Sequence, residues 1–102
     1  MIQGIVVITA KPGQRAAILE AFKDNVPAVH AEQGCIEYTA FVDVHGYGPP
    51  QKPHGDDTFV IVEKWESIAA LKAHAAAPHM AAYGAKVKDM IATRTIHLLS
   101  PA

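Results

Sequence analysis

The chain has 102 residues, half of them hydrophobic and 19% charged, and carries a formal net charge of −1. That length fits one domain, residues 1–102. The composition excludes intrinsic disorder, and the balanced charge, with no block of like residues, excludes a nucleic-acid partner bound by phosphate neutralisation. The single cysteine, Cys35, excludes an intrachain disulfide and cannot alone build a thiolate metal site. With no basic leader and no bilayer-length apolar run, the sequence predicts a cytoplasmic protein without a membrane partner.

Ile2–Ala10 is β-branched and apolar and ends at the turn signal Lys11-Pro12-Gly13, so it predicts a strand. From Gln14 the spacing becomes helical, with Ile18, Leu19, Phe22, Val26 and Val29 on one stripe. Pro27 removes a helical N–H, so a kink or break is expected near Asp24–Val26, and Gly34 fits a position just past the helix end. A second strand is expected over Cys35–His45. The segment 45–57 holds three prolines and three glycines and predicts a long, mobile hairpin loop outside the core. Thr58–Trp65 is the third expected strand. Ser67 suits the N-cap of a helix running to about Ala75, and Pro78 the first turn of a further helix with Met80, Tyr83, Val87 and Met90 or Ile91 on its apolar stripe. Thr93–Leu99 closes the chain as the last strand.

The order β-α-β-β-α-β, its second helix in two pieces, predicts an α+β fold: the ferredoxin-like split βαβ, a four-stranded antiparallel sheet with helices on one face. A sheet with one wet face should alternate apolar and polar residues. Here Val6 and Ile8 oppose Ile5 and Val7, and Phe59, Ile61 and Trp65 oppose Val60 and Val62, so both faces are apolar. Two such sheets packed face to face in a homodimer would cover the second face.

Glu63 and Trp65 share one face of their strand because side chains repeat every two residues. If the helices cover that face, both could line a cavity with His74 and His79; if they cover the other, both would point into the dimer seam. His74 falls in the last turn of one expected helix and His79 in the first turn of the next. Helix-terminal fields favour an imidazolium at a C-terminus and a neutral ring at an N-terminus, which singles out His79 as the general base. Glu63, in an otherwise apolar strand, needs a buried partner such as Arg94 or a histidine, and could serve as the base only if burial raised its pKa. Trp65 offers a flat wall to an aromatic ring, Tyr38 and Tyr83 offer phenols to an anionic oxygen, and Arg94 a cation. Cys35 reads as a small buried hydrophobe. His45, His54, Asp56 and Asp57 match no zinc spacing, and no glycine-rich phosphate cradle precedes a helix, so neither a metal nor a nucleotide cofactor is expected.

The first strand with Lys11-Pro12-Gly13, then Glu32-Gln33-Gly34-Cys35-Ile36-Glu37-Tyr38, then Val62-Glu63-Lys64-Trp65-Glu66-Ser67, Leu71, His74 and His79, together resemble the antibiotic biosynthesis monooxygenase family over nearly the whole chain. The resemblance implies a dimeric α+β barrel and a cofactor-independent monooxygenase that oxidises a quinol or another small aromatic phenol with O₂. It carries Trp65, His74 and His79 over as pocket residues. Haem-cleaving members use an asparagine in the first strand, and Ile2–Ala10 contains none. Some polyketide-oxidising members place an asparagine four residues before the tryptophan, where this chain has Ile61. Isomerisation of a small hydroxyketone by histidine acid–base chemistry is the alternative the family implies. A non-catalytic dimeric module that binds a small ligand is the alternative outside enzymes.

Overall fold

A computed structural model covers residues 1–102. Strands β1 (Ile2–Ala10), β2 (Cys35–Phe41), β3 (Thr58–Trp65) and β4 (Ile91–Leu99) form one antiparallel sheet in the order β2-β3-β1-β4. Helix α1 (Arg15–His30) joins β1 to β2, while α2 (Ile68–Ala75) and α3 (Pro78–Val87) lie between β3 and β4. This is the expected α+β, ferredoxin-like topology, and no helix is long and apolar enough to cross a membrane.

The helices cover one face of the sheet. On β1 that face carries Val6, Ile8 and Ala10, and on β3 it carries Phe59, Ile61, Glu63 and Trp65, all buried. From α1 come Ile18, Ala21, Phe22 and Val29, so the helical stripe meets the strand face where period 3.6 meets period 2. Phe22 stacks on Tyr38 with ring centroids 4.9 Å apart and meets Phe59 edge-on at 6.3 Å. The opposite face shows partly buried Ile5 paired with Val62 and Val7 paired with Val60.

Three local expectations are corrected. Helix α1 runs through Pro27 without interruption. Pro27 sits in the last turn, and Lys23, whose carbonyl loses its partner, is on the solvent side, where water can replace the missing N–H. Strand β2 stops at Phe41, not at His45. Val42 and Val44 are 49% and 70% exposed, so their β propensity finds nothing to pack against. Strand β4 starts at Ile91, two residues early, directly after a 3-10 turn over Lys88–Met90.

The β2–β3 connection is exposed, as its composition implies, yet it is tied back. Both carboxylate oxygens of Asp43 accept backbone N–H bonds, from His54 at 3.0 Å and Gly55 at 2.8 Å. These bonds hold the Asp43 carboxyl below its ordinary range. Arg15 adds a 3.1 Å bond to the Thr58 carbonyl. In the α1–β2 turn, Gly34 has φ +85°, and a Cβ there would lie 2.7 Å from the Ala70 Cβ. Glycine is therefore required where this turn presses on α2, and the Gly34 carbonyl accepts the Glu66 N–H at 2.9 Å.

Candidate functional site

The covered face is not filled. A cavity of about 400 Å³ separates the sheet from α2 and α3, lined by 17 residues of which 12 are hydrophobic. Val6, Ile8 and Ile61 supply part of its floor, and Met80 and Val87 part of its roof. Its ionisable lining groups are few: Glu63, His74, Tyr38, Tyr83, Arg94 and Lys88. Such a chamber suits a flat apolar ligand held by a small number of polar groups.

Glu63 reaches this chamber because β3 alternates and the register sets it opposite Gly4 on β1 and Tyr38 on β2. A Cβ on Gly4 would sit 2.6 Å from the Glu63 Cγ, so the missing side chain of Gly4 makes the space Glu63 occupies. The carboxyl is 4% exposed and accepts the indole N–H of Trp65 at 3.2 Å. Desolvation raises its pKa above the ordinary carboxylate value, while His74, the Trp65 bond and Arg94 pull the other way. Arg94, one of the partners expected for Glu63, acts on it through space and makes no ion pair with it. Both ion-pair contacts in the chain fall on Glu32.

His74 is 5% exposed at the end of α2, with its ring 4.6 Å from that of Trp65 and 5.4 Å from that of Tyr38. Its Nδ1 lies 2.7 Å from Glu32 Oε2, in the turn between α1 and β2. Tyr38 is buried 3% exposed, and desolvation, reinforced by Glu63, drives its phenol far above the ordinary value, so it remains a neutral donor. The Tyr83 hydroxyl is buried and has no hydrogen-bond partner, and its phenol is also raised by burial. An unpartnered O–H in the wall of a cavity is free to donate into it.

Two residues stand apart from the positions expected of them. Trp65 is fully buried and does not line the chamber; it packs behind the wall, holding Glu63 and supporting His74. His79 lies outside the chamber too. It borders a separate outer groove between α1 and α3, with Asn25, Asp24 and Lys86. Its Nδ1 is 3.2 Å from Asn25 Oδ1, and its Nε2 is 3.5 Å from Glu32 Oε1. Glu32 thus meets both histidines although no sequence periodicity singles it out; its contact with His74 spans 42 positions. Cys35 is half-buried, and its thiol is pushed up by burial and by Glu32 and Glu63, which keeps it unreactive.

Comparison with known proteins gives this chamber a context. The antibiotic biosynthesis monooxygenase family model matches residues 1–86. The chain is 40% identical over 103 residues to the "Probable quinol monooxygenase YgiN" of Escherichia coli K12, covering 99% of this chain and 98% of that protein. It is 31% identical over 84 residues to the "Putative monooxygenase YcnE" of Bacillus subtilis, covering 82% and 79% of the two. Among solved structures, PA3566 of Pseudomonas aeruginosa superposes with a TM-score of 0.81 at 25% identity, covering 99% of this chain and 93% of that one. The family-model match over residues 1–86 and the 40% identity across nearly the full length of both proteins show that the chain belongs to the antibiotic biosynthesis monooxygenase family.

Proposed function

We propose that this chain is a cofactor-independent monooxygenase that oxidises a quinol or another small aromatic phenol with O₂ inside the α2/α3 chamber. The observation that carries this reading is a largely apolar cavity of about 400 Å³ whose few polar groups include one desolvated carboxyl, Glu63, and one buried histidine, His74. His74 takes the phenolic proton, with Glu63 as a second acceptor that burial makes more basic than an ordinary carboxylate. The Tyr83 O–H and the Arg94 guanidinium steady the aromatic anion. The electron-rich anion then reduces O₂, which the apolar walls admit while limiting water. For a quinol the balance is quinol plus O₂ giving hydroxyquinone plus water: one oxygen atom enters a ring carbon, and the four electrons come from the substrate. The 40% identity to a protein named as a quinol monooxygenase supports this substrate class.

The outer sheet face completes the proposal. Ile5, Val7, Val60 and Val62 form a continuous apolar patch, and a second copy applied face to face makes a homodimer in the reducing cytoplasm. The deciding experiment measures O₂ uptake and product formation with benzene- and naphthalene-diols, in air and under nitrogen. Turnover that needs O₂ and inserts one atom of ¹⁸O supports the oxygenase. Conversion of a hydroxyketone at equal rates without O₂ would replace it with an isomerase, and ligand binding without turnover of either would leave a binding module.

A further inference from the structure

Glu32 lies between two histidines from different helices. His74 Nδ1 is 2.7 Å from Oε2, and His79 Nε2 is 3.5 Å from Oε1. The carboxylate is 16% exposed, so both contacts are shielded from bulk water. An ionised carboxylate only accepts hydrogen bonds, so His74 Nδ1 must carry the hydrogen. In the neutral ring Nε2 is then the lone-pair nitrogen, and it is the one with no hydrogen bond. His79 is fixed in its turn. The Asn25 Nδ2 donates to Met80 Sδ at 3.4 Å, which leaves Asn25 Oδ1 to accept from His79 Nδ1. His79 Nε2 therefore faces the carboxylate, where a protonated ring is attracted and a neutral one presents lone pair to anion.

We propose that Glu32 is a positioning residue that fixes His74 in the Nδ1–H tautomer and so makes Nε2 the proton acceptor of the chamber, with His79, itself held by Asn25, facing the same carboxylate from the outer groove. This rests on the oxygenase reading for its consequence in turnover, though not for the tautomer itself. The proton path is simple: the substrate O–H bond breaks, its proton goes to His74 Nε2, and the resulting imidazolium is stabilised by the Glu32 carboxylate on the opposite nitrogen. This is the division of labour of a carboxylate–histidine pair in acyl-transfer enzymes, where replacing the carboxylate by its amide costs catalysis mainly through the wrong tautomer. The groups facing His74 are Glu32 from the α1–β2 turn, Glu63 and Trp65 from β3 and Tyr38 from β2. Those facing His79 are Glu32 and Asn25, with Asp24 and Lys86 bordering the same groove.

The test combines ¹⁵N spectra of the histidine side chains with kinetics on 1,4-dihydroxynaphthalene as the probe. In the unmodified protein, at a pH where the ring is neutral, His74 is expected as the Nδ1–H form. Glu32→Gln should shift it toward Nε2–H and lower kcat about 10²-fold or more, with KM within roughly threefold. Glu32→Asp, which keeps a carboxylate, should recover part of both, and His79→Gln should cost only about three- to tenfold because it acts through Glu32. A wild-type His74 found as Nε2–H overturns the proposal, and this reading does not require any variant to fold. An unchanged tautomer in Glu32→Gln overturns it as well. If the tautomer follows Glu32 but no diol is oxidised, the positioning role stands and the oxygenase reading falls.

Discussion

The two faces of the sheet use the same residue types for different ends. The covered face places Phe59 and Ile61 against α1 and α3, then interrupts that apolar run with Glu63. The uncovered face sets Val60 and Val62 beside Val7 and Ile5, with no buried charge among them. One strand, β3, supplies both rows at alternate positions. A carboxyl on the covered face is accommodated because Trp65 donates to it and Gly4 makes room for it, while these outer-face positions are apolar throughout. The polar groups are thus gathered on the side that the chain covers with its own helices.

Paired substitutions on β3 should separate the two faces by the largest effect. Phe59 is fully buried and touches Phe22 edge-on, so Phe59→Ala should cost about 3–5 kcal/mol in urea unfolding. Val62→Lys, three residues on and pointing the other way, should cost less in stability but abolish self-association. Sedimentation at micromolar concentration should then show the 10.9 kDa protomer, with the unmodified chain at twice that mass. Equal destabilisation by both variants would mean that the outer face is a core surface and not an interface.

A smaller effect is expected at the position that makes space for the carboxyl. Gly4→Ala places a methyl 2.6 Å from the Glu63 Cγ, and Glu63 is anchored by Trp65, so it cannot simply swing aside. Overpacking of this kind costs about 1–3 kcal/mol, and diol turnover should fall with it. Gly84→Ala is the counterpart across the cavity. That glycine lies within α3 with nothing within 4 Å of a new Cβ, so the change should stabilise by about 0.5–1 kcal/mol through helix propensity. Thermal melts of the two single variants, moving in opposite directions, would show that glycine is required on the sheet side alone.

The order of elements was legible because each carries a local mark: Pro-Gly after β1, Ser67 as N-cap with its hydroxyl accepting the Ala70 N–H at 3.1 Å, Pro78 at the first turn of α3. The break expected at Pro27 was not found, since propensity at one residue is outweighed when the freed carbonyl faces water. The chamber was half legible. Alternation put Glu63 and Trp65 on one face, but which face the helices cover depends on chain crossovers that no single residue encodes. Helix-terminal fields separate His74 from His79 by their position on a helix, whereas entry to the chamber depends on where α2 and α3 sit on the sheet. Glu32 appeared only within the stretch Glu32–Tyr38 that carries the family resemblance, because its partners come from two helices, α2 and α3, distant in sequence.

The least disruptive variant is also the sharpest measure of what the covered face tolerates. Burial raises the Glu63 pKa in the folded chain above its unfolded value. The folded state therefore holds the proton across an interval where the unfolded chain has released it. Stability contributed by that proton is present below the unfolded carboxyl value of about 4.3 and is lost as pH climbs through the folded value. Above that interval the native chain must fold around a desolvated charge. Glu63→Gln carries no charge at any pH, keeps an oxygen that can accept the Trp65 N–H, and nearly preserves the volume. Its melting temperature should match that of the unmodified protein near pH 4 and exceed it by a few degrees at pH 7–8, while diol turnover falls. A difference that stays flat from pH 4 to 8 would show that Trp65, His74 and Arg94 fully offset the desolvation. A widening gap would identify Glu63 as a group retained at a cost in stability, as expected where a buried charge serves chemistry and not packing.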